Sequence, residues 1–219
     1  MIQAVIFDLD DTLVDSRESI VLYYTNLLNY LGMPVPPVQD EDAWRMILTW
    51  PERDTLRTLH QRDGAGDFDA LWQRVLAFKA GQDFALSARG VSLKPHAREV
   101  LTWTSDRALL ALATSRGAST GAVLEHLDIH GYFQLVYTAV NSLRLKPDPW
   151  VVQEVARQFA LDPDHIALVG DSEPDIGCAN AAGALSVAVG HGWRGGAQQP
   201  ALAVDSLAEL PAALLPLLP

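Results

Sequence analysis

A single cysteine, Cys178, stands in a chain of 219 residues. It has no partner within the chain for a disulfide, so nothing in the sequence calls for an oxidising compartment. Long apolar runs are missing too: no stretch approaches the roughly 18 residues that a membrane-spanning helix needs. The opening residues, Met1-Ile2-Gln3-Ala4-Val5-Ile6-Phe7-Asp8, carry no basic residue and reach a carboxylate before a signal-peptide core is complete. No membrane association is expected, and a soluble cytoplasmic protein is. Positive charge is scarce: 16 Lys and Arg stand against 27 Asp and Glu, a formal net charge of −11. Such a surface repels a phosphate backbone, which argues against nucleic acid as a partner. An anionic ligand would need a local cationic site, either a metal or a few placed side chains. Internal repeats and low-complexity segments are also absent. What is present suits a well-packed globular chain. Hydrophobic residues make up 49% and charged residues 20%, enough to bury a core in one large domain or in a domain carrying a smaller insert.

Short apolar runs of strand type occur at Val5–Phe7, Leu109–Thr114, Leu135–Thr138, Ile166–Gly170 and Leu185–Val189, with a further short one near Ala203–Val204. Most are apolar throughout rather than alternating, as expected of strands covered on both faces. Helical patterns separate them. Ala118–Leu127 carries Ala122, Val123 and Leu127 at helical spacing. Val151, Val155 and Phe159 form an i, i+4, i+8 stripe, and Glu173–Ala182 runs to a helix-ending Gly183. This alternation predicts an α/β fold built on a parallel sheet. Residues 16–87 break it, because only helical periodicity is found there. Ile20, Tyr23, Tyr24, Leu27, Leu28 and Leu31 mark one apolar face, opened by Asp15 with Glu18 three residues on and closed by Gly32. Phe68, Leu71, Trp72, Val75 and Leu76 mark another. Shorter helices are expected at Glu41–Leu48 and Glu52–His60, separated by Trp50-Pro51. Met33-Pro34-Val35-Pro36-Pro37 is a loop by its prolines. The chain therefore divides into an α/β core, residues 1–15 and 88–219, and an inserted all-helical domain, residues 16–87. The Leu/Pro-rich tail from Leu210 is expected to form a short helix.

Four acidic residues, Asp8, Asp10, Asp11 and Asp15, fall within eight positions with no basic residue among them. Two carboxylates about 4 Å apart repel by ~4 kcal/mol at an effective dielectric of 20, so crowding them at a strand end calls for a cation. Asp15 reads equally as a helix cap. A second pair, Asp171 and Asp175, repeats the pattern after the strand ending at Gly170, one helical turn apart on the same face. Ala113-Thr114-Ser115-Arg116-Gly117 places a hydroxyl at a strand end with helix amides expected behind it, a weak anion-site signal by itself. Lys146-Pro147-Asp148-Pro149 puts one ammonium on a proline-stiffened segment. All four pieces fall at strand carboxyl ends, where open α/β sheets bind ligands.

In that order, Asp8-x-Asp10-x-Thr12, Thr114, Lys146 and Gly170-Asp171-x3-Asp175 resemble the motifs of the haloacid dehalogenase (HAD) superfamily. More narrowly, they are similar to its phosphoglycolate phosphatase-like branch, and the resemblance spans residues 5 to about 190. It implies a Rossmann-like parallel sheet flanked by helices, with a mobile helical cap inserted after the first motif. It further implies a Mg²⁺-dependent phosphatase that hydrolyses a small phosphorylated metabolite through an aspartyl-phosphate, working as a monomer or homodimer. Asp8 would be the nucleophile, and Asp10 the general acid and then base. Thr114, the Ser115 amide and Lys146 would bind the phosphoryl group. The metal would be held by the Asp8 carboxylate, the Asp10 carbonyl and Asp171, with Asp175 ligating directly or through a water. The acidic residue at position 10 favours phosphoester over carbon–halogen cleavage, since a departing halide needs no proton. Two positions depart from the branch: Asp11 and His96 stand where glycine is common, and Asp tolerates a positive φ better than most residues. A β-phosphoglucomutase-like sugar phosphomutase, a pyrophosphatase, and a phosphate-sensing protein without catalysis are the alternatives.

Substrate choice is expected to lie in the helical insert. Arg45, Arg53, Arg57, Lys79 and His60 could meet an anion and Trp44, Trp50 or Trp72 could wall a pocket; equally, the tryptophans could be core and the arginines a solvated face. Trp193 and His191 sit on a glycine-rich loop after Val189, and His126, His130 and His165 show no metal-ligand spacing.

Overall fold

A computed structural model describes residues 1–49, 52–62, 66–190 and 196–218. The chain forms two compact units, one of Met1–Asp15 with Ser92–Pro219 and one of Ser16–Val91.

The first unit is built on six parallel strands. They are β1 (Ala4–Phe7), β4 (Leu109–Ala113), β5 (Leu135–Tyr137), β6 (Ile166–Gly170), β7 (Leu185–Val189) and β8 (Leu202–Val204), in the order β5-β4-β1-β6-β7-β8. Every pairing is parallel. All four residues of β1 are buried, since helices cover both faces of the sheet; this is why its sequence does not alternate. On one face, α8 (Trp150–Phe159) and α9 (Glu173–Ala182) pack Val152, Val155, Cys178 and Ala179 against Ala4, Ile6, Ile166 and Leu168. Small side chains at Ala4, Ala111 and Ala113 line that side of the sheet. Elsewhere α6 (Ala97–Ser105) packs on β4 and on α10 (Leu210–Leu214). Cys178 is buried in α9, and burial pushes its thiol up to about 12, so it stays protonated at neutral pH. Strands β4 and β5 lie in turn on one side of β1, and β6, β7 and β8 on the other. The strand order thus reverses beside β1, and that reversal opens a crevice at the strand carboxyl ends.

The second unit contains α1 (Arg17–Leu31), α2 (Glu41–Thr49), α3 (Glu52–Arg62), α4 (Phe68–Ala80) and α5 (Phe84–Ala88). Tyr24, Leu27, Leu28, Leu31, Met46, Ile47, Leu56, Leu71 and Val75 form its core. Gly32 ends α1 in the left-handed conformation, φ 72°, that glycine adopts without a steric penalty.

Several local expectations are corrected. Asp15 is not the N-cap residue of α1. It belongs to a two-residue strand β2 (Val14–Asp15), antiparallel to β3 (Ser92–Leu93), and Ser16 takes the N-cap position. Leu76 is 44% exposed, because α4 turns only Leu71 and Val75 fully inward. The helix expected from Ala118 is α7 (Thr120–His126) and starts two residues later. The β2–β3 ribbon and α6 lie outside the expected set, and Trp50-Pro51 lies outside the described residues. No helix among the described residues is long and apolar enough to cross a membrane.

Both positions where a glycine is common in the branch have positive φ, 60° at Asp11 and 66° at His96. Asp and His tolerate such a position better than most residues, yet His96, exposed at the start of α6, still carries the Cβ that glycine lacks. Relief of its strain is set against the added freedom of glycine in the unfolded chain. His96→Gly is expected to stabilise the fold by about 0.5–1 kcal/mol. Calorimetry should register this as a Tm rise of about 1–4 °C.

Candidate active site

β1 delivers Asp8 directly past its last residue, and the Asp8 amide still donates to the Val169 carbonyl of β6 at 2.9 Å. The next residues fold into a tight turn. Leu13 and Val14 amides both donate to the Leu9 carbonyl, at 2.9 and 3.0 Å, and the Asp11 amide donates to the Val14 carbonyl at 2.8 Å. Leu9 and Leu13 are fully buried and anchor this turn, leaving Asp10 at its rim with about a third of its side chain exposed. The turn also sends Thr12 inward, where its hydroxyl donates to Asp171 Oδ1 at 2.9 Å.

β6 ends at Gly170, and Asp171 follows. Ser172 and Asp175 then close a reciprocal capping box at the start of α9, Asp175 Oδ2 accepting from the Ser172 amide (3.1 Å) and hydroxyl (2.5 Å). Asp175 is completely buried, and its carboxyl group lies so close to Gly170 that a Cβ there would come within 2.3 Å of it. Only glycine leaves that space.

Lys146 unites the two acidic segments. Its ammonium donates to Asp8 Oδ1 at 2.6 Å, to Asp175 Oδ1 at 2.5 Å and to the Ala113 carbonyl at 2.8 Å, with 6% of the side chain exposed. Burial alone would lower its pKa, but the two carboxylates outweigh that and raise it, so the ammonium stays charged. Burial pushes the Asp8 carboxyl well above the usual range; Lys146 opposes the shift and Asp175 adds to it. Asp171 is pushed up to about 6, chiefly by burial and then by Asp175, against the Thr12 hydrogen bond. Carboxylate oxygens of Asp8, Asp171 and Asp175 lie within 4.8 Å of one another. Three carboxylates against one ammonium leave two formal negative charges in a confined space. An all-oxygen donor set of that charge fits a hard divalent cation. Asp162, Asp164 and His165 also come together, but on an exposed turn preceding β6.

Thr114 follows β4, is buried, and accepts from the Arg116 amide at 3.0 Å through its hydroxyl oxygen. Ser115 beside it is exposed, and Ser115, Thr114 and Lys146 line one recess with Ser142 and Arg144. The helix amides expected behind Thr114 are not there. α7 begins only at Thr120, so backbone N–H groups near Thr114 belong to a loop. Thus the structure brings Asp8, Thr114, Lys146, Asp171 and Asp175 together and leaves Asp10 and Ser115 at the rim.

One side chain was not singled out by its sequence position. Arg116 Nε reaches Asp10 Oδ2 at 3.0 Å and Oδ1 at 3.2 Å, and its Nη2 reaches Oδ1 at 2.5 Å. The available signal was that it is the only basic residue in a segment expected to border an acidic cluster. The candidate residues of the helical unit are mostly engaged within it. Arg45 pairs with Asp42, Arg53 with Asp69 and Lys79 with Glu52. Arg53 also lies over Trp72 and Arg57 over Phe68, while Trp44 and Trp72 pack against the core. Buried His60 has no hydrogen-bond partner at Nε2 among the described residues. Trp193 and His191 lie outside the described residues.

A buried acidic cluster with one lysine, at the strand-order reversal of a parallel sheet, is the arrangement of a Rossmann-like α/β enzyme. The chain belongs to the haloacid dehalogenase-like hydrolases, whose family it matches over residues 5–189. It is 32% identical to the phosphoglycolate phosphatase of Escherichia coli O157:H7, covering 97% of this chain and 92% of that enzyme. Among solved structures, a HAD-superfamily hydrolase of subfamily IA from Geobacter sulfurreducens superposes with a TM-score of 0.80 at 27% identity, over 97% of this chain and 96% of that one. A Thermotoga maritima protein assigned as a β-phosphoglucomutase does so with a TM-score of 0.74 at 26% identity, over 98% and 99%.

Lys146→Met keeps the bulk of the side chain and removes the charge shared by two buried carboxylates. In metal-free protein it should destabilise the fold by about 3–5 kcal/mol, measured by urea unfolding in the presence of a chelator.

Proposed function

We propose that the protein is a magnesium-dependent phosphomonoester hydrolase acting on a small metabolite of the phosphoglycolate type. The observation that carries this reading is the contact of the Lys146 ammonium with Asp8 in a pocket where Asp171 and Asp175 leave excess negative charge. Lys146 engages Asp8 Oδ1, so Oδ2 is the oxygen offered for attack on phosphorus. A bond forms between Asp8 and phosphorus as the bond to the alcohol oxygen breaks, and Asp10 gives its proton to the departing oxygen. Asp10 then takes a proton from the water that attacks the aspartyl-phosphate, which releases inorganic phosphate and restores Asp8. Thr114, the Ser115 amide and Lys146 hold the phosphoryl oxygens through both steps. Asp8, the Asp10 carbonyl and Asp171 are the residues that would hold Mg²⁺. Both oxygens of Asp175 already serve Ser172 and Lys146, which suits it to a metal-bound water. When bound, the ion would offset the charge repulsion between a carboxylate and a phosphate dianion.

The phosphoglycolate phosphatase relatives favour a small phosphomonoester. Similarity to the Thermotoga maritima protein keeps a sugar phosphomutase as the second reading. Interconversion of hexose phosphates without net phosphate release would identify that activity.

Asp8→Asn should lower turnover of phosphoglycolate and of p-nitrophenyl phosphate by at least about a thousandfold. Its far-UV circular dichroism should match that of the parent; retained turnover would reject Asp8 as the nucleophile. The shift at Asp171 gives a pH signature. Its pKa is about 6 in the fold against an ordinary 3.8, so the metal-free fold holds the proton more tightly than the unfolded chain does. That contribution to stability is present below about pH 4 and is lost as pH rises through 6. Magnesium requires the ionised form, so the Tm rise it produces should be larger at pH 7.5 than at pH 5. Thermal melts with MgCl₂ or EDTA at the two pH values measure the difference.

A further inference from the structure

The Arg116–Asp10 pair joins two loops that are 106 residues apart in the chain. Arg116 presents its Nε–Nη2 edge to both carboxylate oxygens, a two-point grip that fixes the direction of the carboxyl plane as well as its position. Its own base is held at both ends. The Arg116 amide donates to Thr114 Oγ1 at 3.0 Å, and its carbonyl accepts from the Ala139 amide at 2.9 Å. Nη1 reaches Ser119 Oγ at 3.4 Å. The guanidinium side chain is 11% exposed and the Asp10 side chain 31%. The cation is therefore set into the protein, and the carboxylate sits in front of it at the mouth of the site.

We infer that Arg116 is the positioning residue for Asp10, tying its carboxyl group to the loop that carries Thr114. The inference rests on the hydrolase reading, in which Asp10 must meet the leaving oxygen while Thr114 holds the phosphoryl group. Asp10 lies on a rim turn, and misplacing a reacting group by about 1 Å can cost a hundredfold in rate. In the proton-donating form one Asp10 oxygen would keep accepting from Arg116 while the other carries the proton toward the leaving oxygen, and the Arg116 amide on Thr114 sets the spacing between that donor and the phosphoryl group. A substrate anion would have to compete with Asp10 for the Nε–Nη2 edge. Lysine could not replace it, since a single ammonium supplies charge without the planar fork.

Two substrates separate positioning from structural support. Phosphoglycolate releases an alkoxide that needs a proton; p-nitrophenyl phosphate releases a phenolate that leaves readily without one. The comparison uses kcat/KM, which reports steps through departure of the leaving group and is blind to the later hydrolysis common to both substrates. With Arg116→Ala, kcat/KM for phosphoglycolate should fall about thirtyfold to a hundredfold, and that for p-nitrophenyl phosphate less than about fivefold. If that variant does not fold, Arg116→Lys, which keeps the charge, should still show a severalfold difference between the substrates. Equal losses on both substrates, or no loss at all, would each overturn the inference while leaving the hydrolase reading intact. Parent protein that releases phosphate from neither substrate would overturn both.

Discussion

Like charges crowded against one ammonium are the constraint on which the rest of this structure depends. Lys146 lies within 2.6 Å of Asp8 and 2.5 Å of Asp175, and Asp171 shares the same space. Without Lys146, bringing the ends of β1 and β6 together would force buried carboxylates against one another. With it, the cluster holds together but remains two formal charges negative. The same ion contact thus offsets the crowding and leaves the site short of positive charge, a donor set that suits a hard divalent cation.

The surrounding backbone keeps these side chains from relaxing apart. Asp175 is held by the Ser172 capping box and presses against Gly170, where any side chain would displace it. Thr12 is turned inward by the buried Leu9–Leu13 turn and secures Asp171. Arg116 does the equivalent for Asp10 from the opposite loop. Each acidic group has a named partner on a different segment, so the fold determines the site at several independent points rather than through one flexible loop.

Much of this was legible in the chain. The apolar runs that become β1, β4, β6 and β7 are short and continuous because both faces are covered, and carboxylates directly beyond two of them made a charge puzzle that only a shared site resolves. The Asp8, Asp10, Asp171 and Asp175 positions follow from that puzzle, as does the helical character of residues 16–87. Elements set by few residues were not legible. The β2–β3 ribbon has two residues a side, too short for a period to register. α7 starts two residues later than its sequence suggests, because serine and threonine suit loops and caps alike. Leu76 fitted an apolar stripe but faces outward, since the stripe is wider than the surface α4 actually buries.

Composition and periodicity by themselves determined the class of fold, the place of the helical insertion and the acidic residues at the strand ends, because each depends on local patterning along a few successive residues. Which carboxylate faces which cation was decided only by the tertiary structure. Lys146 is 138 positions from Asp8, and Arg116 is 106 from Asp10. Over such separations the chain's local preferences carry no information about distance. Strand order, the turn after β1 and the packing of α9 supply it.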